Sequence, residues 1–131
     1  MKSSMKKLIK ILIIDPDYSI RKSFQDYFSL FRNTVVVGCS NFQEAKITIS
    51  SLVFDWVICE LELEPDQELG WEIYNLLSLY QTNSQLILLT KELTFERKIK
   101  AKEKGIAIFE KPFDIEEFKR AFPLPEEKLS A

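Results

Sequence analysis

The stretch Leu8-Ile9-Lys10-Ile11-Leu12-Ile13-Ile14-Asp15-Pro16-Asp17 decides how this chain folds. Its apolar part is short, nearly continuous and rich in isoleucine, and it stops abruptly on acids. A strand covered on both faces reads this way, whereas a surface strand would alternate apolar and polar residues. Similar runs recur at Thr34–Val37, Trp56–Cys59, Gln85–Leu89 and Ile106–Phe109. Between them lie segments with helical spacing. Ile20, Phe24, Tyr27, Phe28 and Phe31 share one face, and so do Ile73, Leu76, Leu77 and Tyr80. Asn41-Phe42-Gln43-Glu44 opens a helix with a capping-box pattern. Asp114 and Glu117 repeat it, with Phe113 and Phe118 spaced as a hydrophobic staple. Strands alternating with helices predict a parallel sheet covered on both faces. Right-handed crossovers make that a three-layer α/β/α sandwich.

Composition agrees with one globular domain. The chain has 131 residues, 46% hydrophobic and 29% charged, against a typical domain of roughly 150 residues. Formal net charge is −2, with 18 basic and 20 acidic residues. A domain that grips phosphate backbones is strongly basic, so nucleic-acid binding is not expected. There is no histidine, which excludes Ser-His-Asp, Cys-His and His-ligated metal chemistry. Residues 1–10 carry lysines and then apolar residues. Lys10 interrupts that stretch and no small-residue cleavage site follows, so it reads as a lead-in to the first strand. No apolar run approaches the roughly 18 residues needed to cross a bilayer. Two cysteines, Cys39 and Cys59, are too few for a disulfide framework. They read as small buried thiols in a reducing, cytoplasmic setting. A redox role for Cys59, beside Glu60, is the weaker alternative.

The region Glu92–Lys104 is an unusual helix. Only Leu93, Phe95, Ile99 and Ala101 are apolar, while Arg97, Lys98, Lys100, Lys102 and Lys104 are basic. It reads either as a solvated helix whose lysine stems lie along the surface or as a basic docking face.

Ligands of open parallel sheets bind beyond the carboxyl ends of the strands. Asp15, Glu60, Thr90 and Lys111 all fall there, so two acids, a hydroxyl and a lysine are expected to converge. Asp17 reads first as the cap of the helix carrying Ile20.

These marks, ILIIDPD, FDWVICE, LILLT and IFEKPF in that order, resemble the receiver domain of two-component response regulators. The resemblance runs from about Lys7 to Phe122. It implies a five-stranded parallel sheet in flavodoxin-like order 2-1-3-4-5, one receiver-like domain over residues 1–122, and a short polar tail over 123–131. It also implies a cis bond between Lys111 and Pro112. Receivers accept a phosphoryl group on an aspartate ending the third strand. Two acids after the first strand help hold Mg²⁺, and the fourth-strand hydroxyl and the lysine bind phosphoryl oxygens. The cation is needed because nucleophile and phosphoryl donor are both anionic.

The chain departs from that pattern at the reacting positions. Glu60 stands where the acceptor aspartate belongs. Pro16, which has no side-chain donor atom, replaces the second acid. Lys91 follows Thr90, where a small residue is usual. Ile108 falls at the aromatic switch position, with short spacing from Gly105 to Lys111. The loop from Glu60 to Gly70 is long, and Pro123 stops the last helix early. Asp15, Glu60 and Lys111 leave a single negative charge, a poor match to Mg²⁺ with its demanding octahedral shell. Lys111 is therefore expected to pair with Glu60, and Glu60 also to reach Thr90. Glu60 then either locks one signalling state or stabilises the fold.

The expectation is a pseudo-receiver: a phosphorylation-independent protein-interaction module, with no catalytic residue, metal or cofactor. The alternative is a phosphotransfer receiver with Mg²⁺, using Asp66 as acceptor and Asp17 as replacement ligand. A flavin protein of the same fold is disfavoured, because the turn after the first strand is acidic and the chain has 3 glycines. The partner face is expected over residues 92–122. An acidic lip, Glu62, Glu64, Asp66 and Glu68, opposes the basic helix, and the two patches could steer an oppositely charged partner. A monomer or weak homodimer is expected. Because the chain stops soon after the receiver pattern is complete, its function is expected in the domain's own surface.

Overall fold

Ile11, Leu12, Ile13 and Ile14 are all fully buried, because their strand lies in the middle of a sheet with helices on both sides. The computed structural model describes residues 8–122. The basic lead-in at residues 1–7, the expected tail at 123–131 and Pro123 lie outside them. The strands are β1 (Ile9–Ile14), β2 (Thr34–Cys39), β3 (Trp56–Glu60), β4 (Gln85–Thr90) and β5 (Ala107–Glu110). The helices are α1 (Tyr18–Phe28), α2 (Phe42–Ser51), α3 (Gly70–Tyr80), α4 (Phe95–Lys104) and α5 (Ile115–Ala121). All strand pairs are parallel, in the order β2-β1-β3-β4-β5. The expected sandwich and strand order are both present.

Strand alternation sorts the core into two layers. Ile11, Ile13, Ile58, Ile87 and Leu89 point to one side and meet Phe24, Phe28, Phe118 and Phe122 of the α1–α5 layer. Leu12, Ile14, Val57, Cys59 and Leu88 point to the other and meet α2, α3 and Ala101 of α4. The first layer is aromatic: Phe118 alone packs against Phe24, Tyr27, Phe28, Trp56, Phe109, Phe113 and Phe122.

Strand ends differ from the sequence reading by one or two residues. β3, β4 and β5 run on to include Glu60, Thr90 and Glu110, because the ladder continues through the pairs Glu60–Leu89 and Thr90–Glu110. The site-bearing residues are thus the last rungs of the sheet, held by its hydrogen bonds. α4 starts at Phe95 rather than Glu92, since Thr94 caps it by accepting from Arg97 N. Tyr80, read on one helical face with Ile73, Leu76 and Leu77, is 54% exposed, because α3 ends there; of that face Ile73 and Leu77 are buried and Leu76 partly so.

Helix starts follow their caps. Asn41 accepts from Glu44 N at 2.8 Å, and Glu44 returns the bond one residue further out, to Ser40 N. Asp114 accepts from Glu116 N at 3.0 Å, and Phe113 and Phe118 face each other at 6.5 Å. Glu117 does not complete the second box; among the described residues its side chain makes no return bond. At Gly70 a Cβ would lie 2.9 Å from Leu61 Cα. The first turn of α3 therefore presses directly on the residue after β3 and fixes where the 61–69 loop departs.

Candidate functional site

The bend after β1 brings Asp15 to the end of the sheet, where it is 1% exposed. Its Oδ1 accepts from Asp17 N at 2.9 Å, and its Oδ2 accepts from Lys111 Nζ at 2.7 Å. Lys111 follows β5 and its peptide bond to Pro112 is cis, as the resemblance to receivers implied. The same ammonium donates to Glu60 Oε2 at 2.7 Å. Glu60 is 4% exposed, and its Oε1 is buried without a hydrogen-bond partner. One lysine thus serves two buried carboxylates.

The charges respond to that sharing. Burial raises the Glu60 pKa; the Lys111 bond opposes this, and the nearby Asp15 charge adds to it. Burial pulls Lys111 down, but its bonds to Asp15 and Glu60 outweigh that and its pKa is raised. Lys111 therefore stays protonated and Glu60 is the group left short of compensation.

Thr90 is fully buried but does not meet Glu60, as had been expected. Its hydroxyl donates to Glu62 Oε1 at 2.9 Å and accepts from Arg97 Nη1 at 3.1 Å. The cause is the loop after β3, which folds Glu62 back over the end of β4. Arg97 holds it there, pairing with Glu62 at 3.1 Å and Glu68 at 3.2 Å and donating to Glu92 O at 2.6 Å. Glu68 also accepts from Trp71 Nε1. The expected single pocket is thus two adjoining clusters, Asp15–Lys111–Glu60 and Thr90–Glu62–Arg97–Glu68.

Sequence reasoning placed Arg97 only in a basic stretch. A usable signal was present: it is the one arginine among the lysines of α4, and a planar fork of donors suits two carboxylates. The opposed-patch reading is corrected accordingly. Glu62 and Glu68 of the acidic lip are spent on Arg97 within the molecule. Lys100 and Lys104 lie over the rings of Trp71 and Tyr74 at 4.7 and 4.8 Å, as the surface-hugging reading had it.

The other expected positions sort by geometry. Asp17 caps α1, accepting from Ser19 N and Ser19 Oγ, and the Ser19 hydroxyl bond lowers its pKa. Asp17 and Pro16 line a cleft of about 930 Å³ with Asp15, Glu60, Lys91 and Lys111. Asp66 sits exposed on its lip at φ 59°, in a turn closed by the Glu64–Gln67 bridge. Both side-chain hydrogen bonds of Lys111 go to Asp15 and Glu60, not to Asp66. Ile108 pairs with Leu88 and packs, half-buried, on the α2–α4 side, outside the cleft lining.

The residues present do not fit Mg²⁺. Lys111 Nζ sits between the two carboxylates, Asp17 N occupies Asp15 Oδ1, and Pro16 offers no side-chain oxygen. Asp17, the replacement ligand, is turned to the cap of α1, and of Asp15 and Glu60 that leaves Glu60 Oε1, where Mg²⁺ wants near-ideal octahedral oxygen. Among the described residues no group of three or more His, Cys, Asp or Glu is placed to hold a metal. Cys39 and Cys59 are free and buried, and burial pushes both thiols up, the opposite of a reactive cysteine. Among the described residues no helix is long and apolar enough to cross a membrane.

No protein-family model and no curated protein matches this chain. Solved structures do. The non-phosphorylated HemR receiver domain from Leptospira biflexa is 20% identical with a TM-score of 0.75, covering 92% of this chain and 99% of that one. The signal receiver domain of an HD domain-containing protein from Pseudomonas fluorescens Pf-5 is 22% identical with a TM-score of 0.75, covering 88% and 91%. A response regulator from Burkholderia pseudomallei, solved with a phosphorylated aspartic acid, calcium ion and citrate, is 21% identical with a TM-score of 0.73. It is matched over 86% of this chain, and this chain spans 65% of its length. At these identities the likeness is one of architecture: the chain is built on the response-regulator receiver fold.

Proposed function

We propose that this chain is a receiver-fold signalling module of a two-component system that works through protein partners without accepting a phosphoryl group. The observation that carries this reading is Lys111, bonded at 2.7 Å to both Asp15 and Glu60. In the receivers this chain resembles, that lysine binds the phosphoryl group and those acids serve the metal and the acceptor. Here the three residues satisfy one another, and Glu62 takes the hydroxyl of Thr90. A signalling state is then set by the sequence, not by a donor.

Incubation with acetyl phosphate and Mg²⁺, followed by intact mass measurement, tests this. The expected result is an unchanged mass. A gain of one phosphoryl group that vanishes in Asp66→Ala would establish the phosphotransfer alternative and overturn the proposal.

A further inference from the structure

Seven acids and three basic residues line the cleft at the end of the sheet, a formal excess of four negative charges. Pairing within the molecule does not remove that excess. Lys111 is shared by Asp15 and Glu60, and Arg97 by Glu62 and Glu68, so each cluster keeps one negative charge. Asp17 caps α1. At the rim, Glu64, Asp66 and the exposed Lys91 make no ion pair and no side-chain hydrogen bond among the described residues. Such a cleft repels an anion and attracts a cation.

A second observation points the same way. Glu60 is 4% exposed and its Oε1 is buried without a donor, although Glu60 belongs to the wall of the cleft. A buried carboxylate oxygen left unpaired is costly, and a charged N–H donor compensates it best. The carboxylate turns about a soft terminal torsion, so Lys111 can keep one oxygen while the other meets a donor in the cleft. A bare metal ion is the wrong cation, since among the described residues no three acids converge on one point. The acids are spread over the wall instead, and Pro16, Ile20, Leu63 and Pro65 add apolar surface beside them. That combination suits a methylene chain with N–H cations at its two ends.

We propose that this cleft binds a small aliphatic dication, with ammonium or guanidinium groups at its ends, one end donating to Glu60 Oε1 and the other held at the rim by Glu64 and Asp66. The proposal rests on reading the cleft as taking no phosphoryl group, and it names a ligand class for that same cleft. At about 930 Å³ the cleft has the size of an ordinary small-molecule site.

The probe is agmatine, which carries a guanidinium and an ammonium on one methylene chain. Titration calorimetry on the full chain should give a dissociation constant of about 1 mM or tighter. Glu60→Gln keeps the shape and removes the charge, and should weaken binding roughly tenfold or more. Glu64→Gln/Asp66→Asn, changed at the rim, should weaken it about threefold, and Lys91→Glu should tighten it. Amide NMR shifts on titration should fall on residues 15–17 and 60–66. The rim variant and these shifts decide the matter even if Glu60→Gln does not fold. The proposal fails if agmatine does not bind, if these substitutions leave its binding unchanged, or if the shifts fall elsewhere. It also fails if Mg²⁺ displaces agmatine at equal concentration. Tighter binding of N-acetylarginine amide would mark a partner's arginine as the occupant and overturn it too. A mass gain with acetyl phosphate together with agmatine binding would sink the proposed function and support this site; an unchanged mass without agmatine binding would do the reverse.

Discussion

At the scale of single residues, Glu60 governs how the site responds to pH. Burial sets its pKa above the ordinary value of 4.5, against the pull of Lys111. Between that ordinary value and the raised one, the folded protein holds more protons than the unfolded chain. Stability due to this group is therefore full below about pH 4.5 and is lost as pH rises through the raised pKa. Replacing the carboxylate in Glu60→Gln leaves Lys111 paired with Asp15 alone and should remove this decline. Urea titrations across the acid range check it, and parallel curves for wild type and variant would refute it. A pull-down comparing the same two proteins then separates the roles left open for Glu60. Loss of a partner marks a signalling lock, and an unchanged set marks a stabilising residue. The convergence of Asp15, Glu60 and Lys111 was legible in the sequence, because each sits at a strand end and parallel strands end together. The partner of Thr90 was not, because it depends on how an irregular loop folds back.

At the scale of elements, Arg97 fastens α4 to the loop between β3 and α3. Its pairs with Glu62 and Glu68 join two segments that the sheet does not connect directly. Arg97→Ala should cost about 1–2 kcal/mol, the usual worth of hydrogen bonds to charged groups reduced for partial exposure. Backbone amides of Phe95–Lys104 should exchange hydrogen faster while those of β1 and β3 stay protected. Uniform acceleration across the chain would show that the arginine supports the whole fold instead. The helix itself was legible from its spacing. Its orientation, with Phe95 and Ile99 facing outward, was not, because it depends on the Arg97 ion pairs and the lysine–ring contacts with α3, which are tertiary. The strands carried the opposite advantage: each is apolar on both faces, so pattern alone placed them.

At the scale of the whole molecule, the end of the sheet away from the cleft depends on one buried amide. Gln81 accepts from Phe54 N at 2.8 Å and donates to Ile49 O at 2.7 Å and to Leu52 O. It ties the end of α2 and the start of β3 to the end of α3. Gln81→Leu would take this partner from the buried Phe54 N and Ile49 O and should cost about 2–4 kcal/mol, measured as a lower urea midpoint with an unchanged slope. A loss below about 0.5 kcal/mol would mean water takes over the bonds. No periodicity announces such a residue, since a lone glutamine after a helix looks like any surface side chain. The aromatic imbalance between the two layers has a practical consequence of its own. Trp56 lies in the ring-rich layer against Phe28, Phe118 and Phe122. Trp71 lies across the sheet, bonded to Glu68 and beneath Lys100. The two indoles thus give the chain a pair of native fluorescent reporters. With Trp56→Phe the remaining emission reads the Arg97 clamp, and with Trp71→Phe it reads the core, so movement of α4 and unfolding can be followed separately without a label.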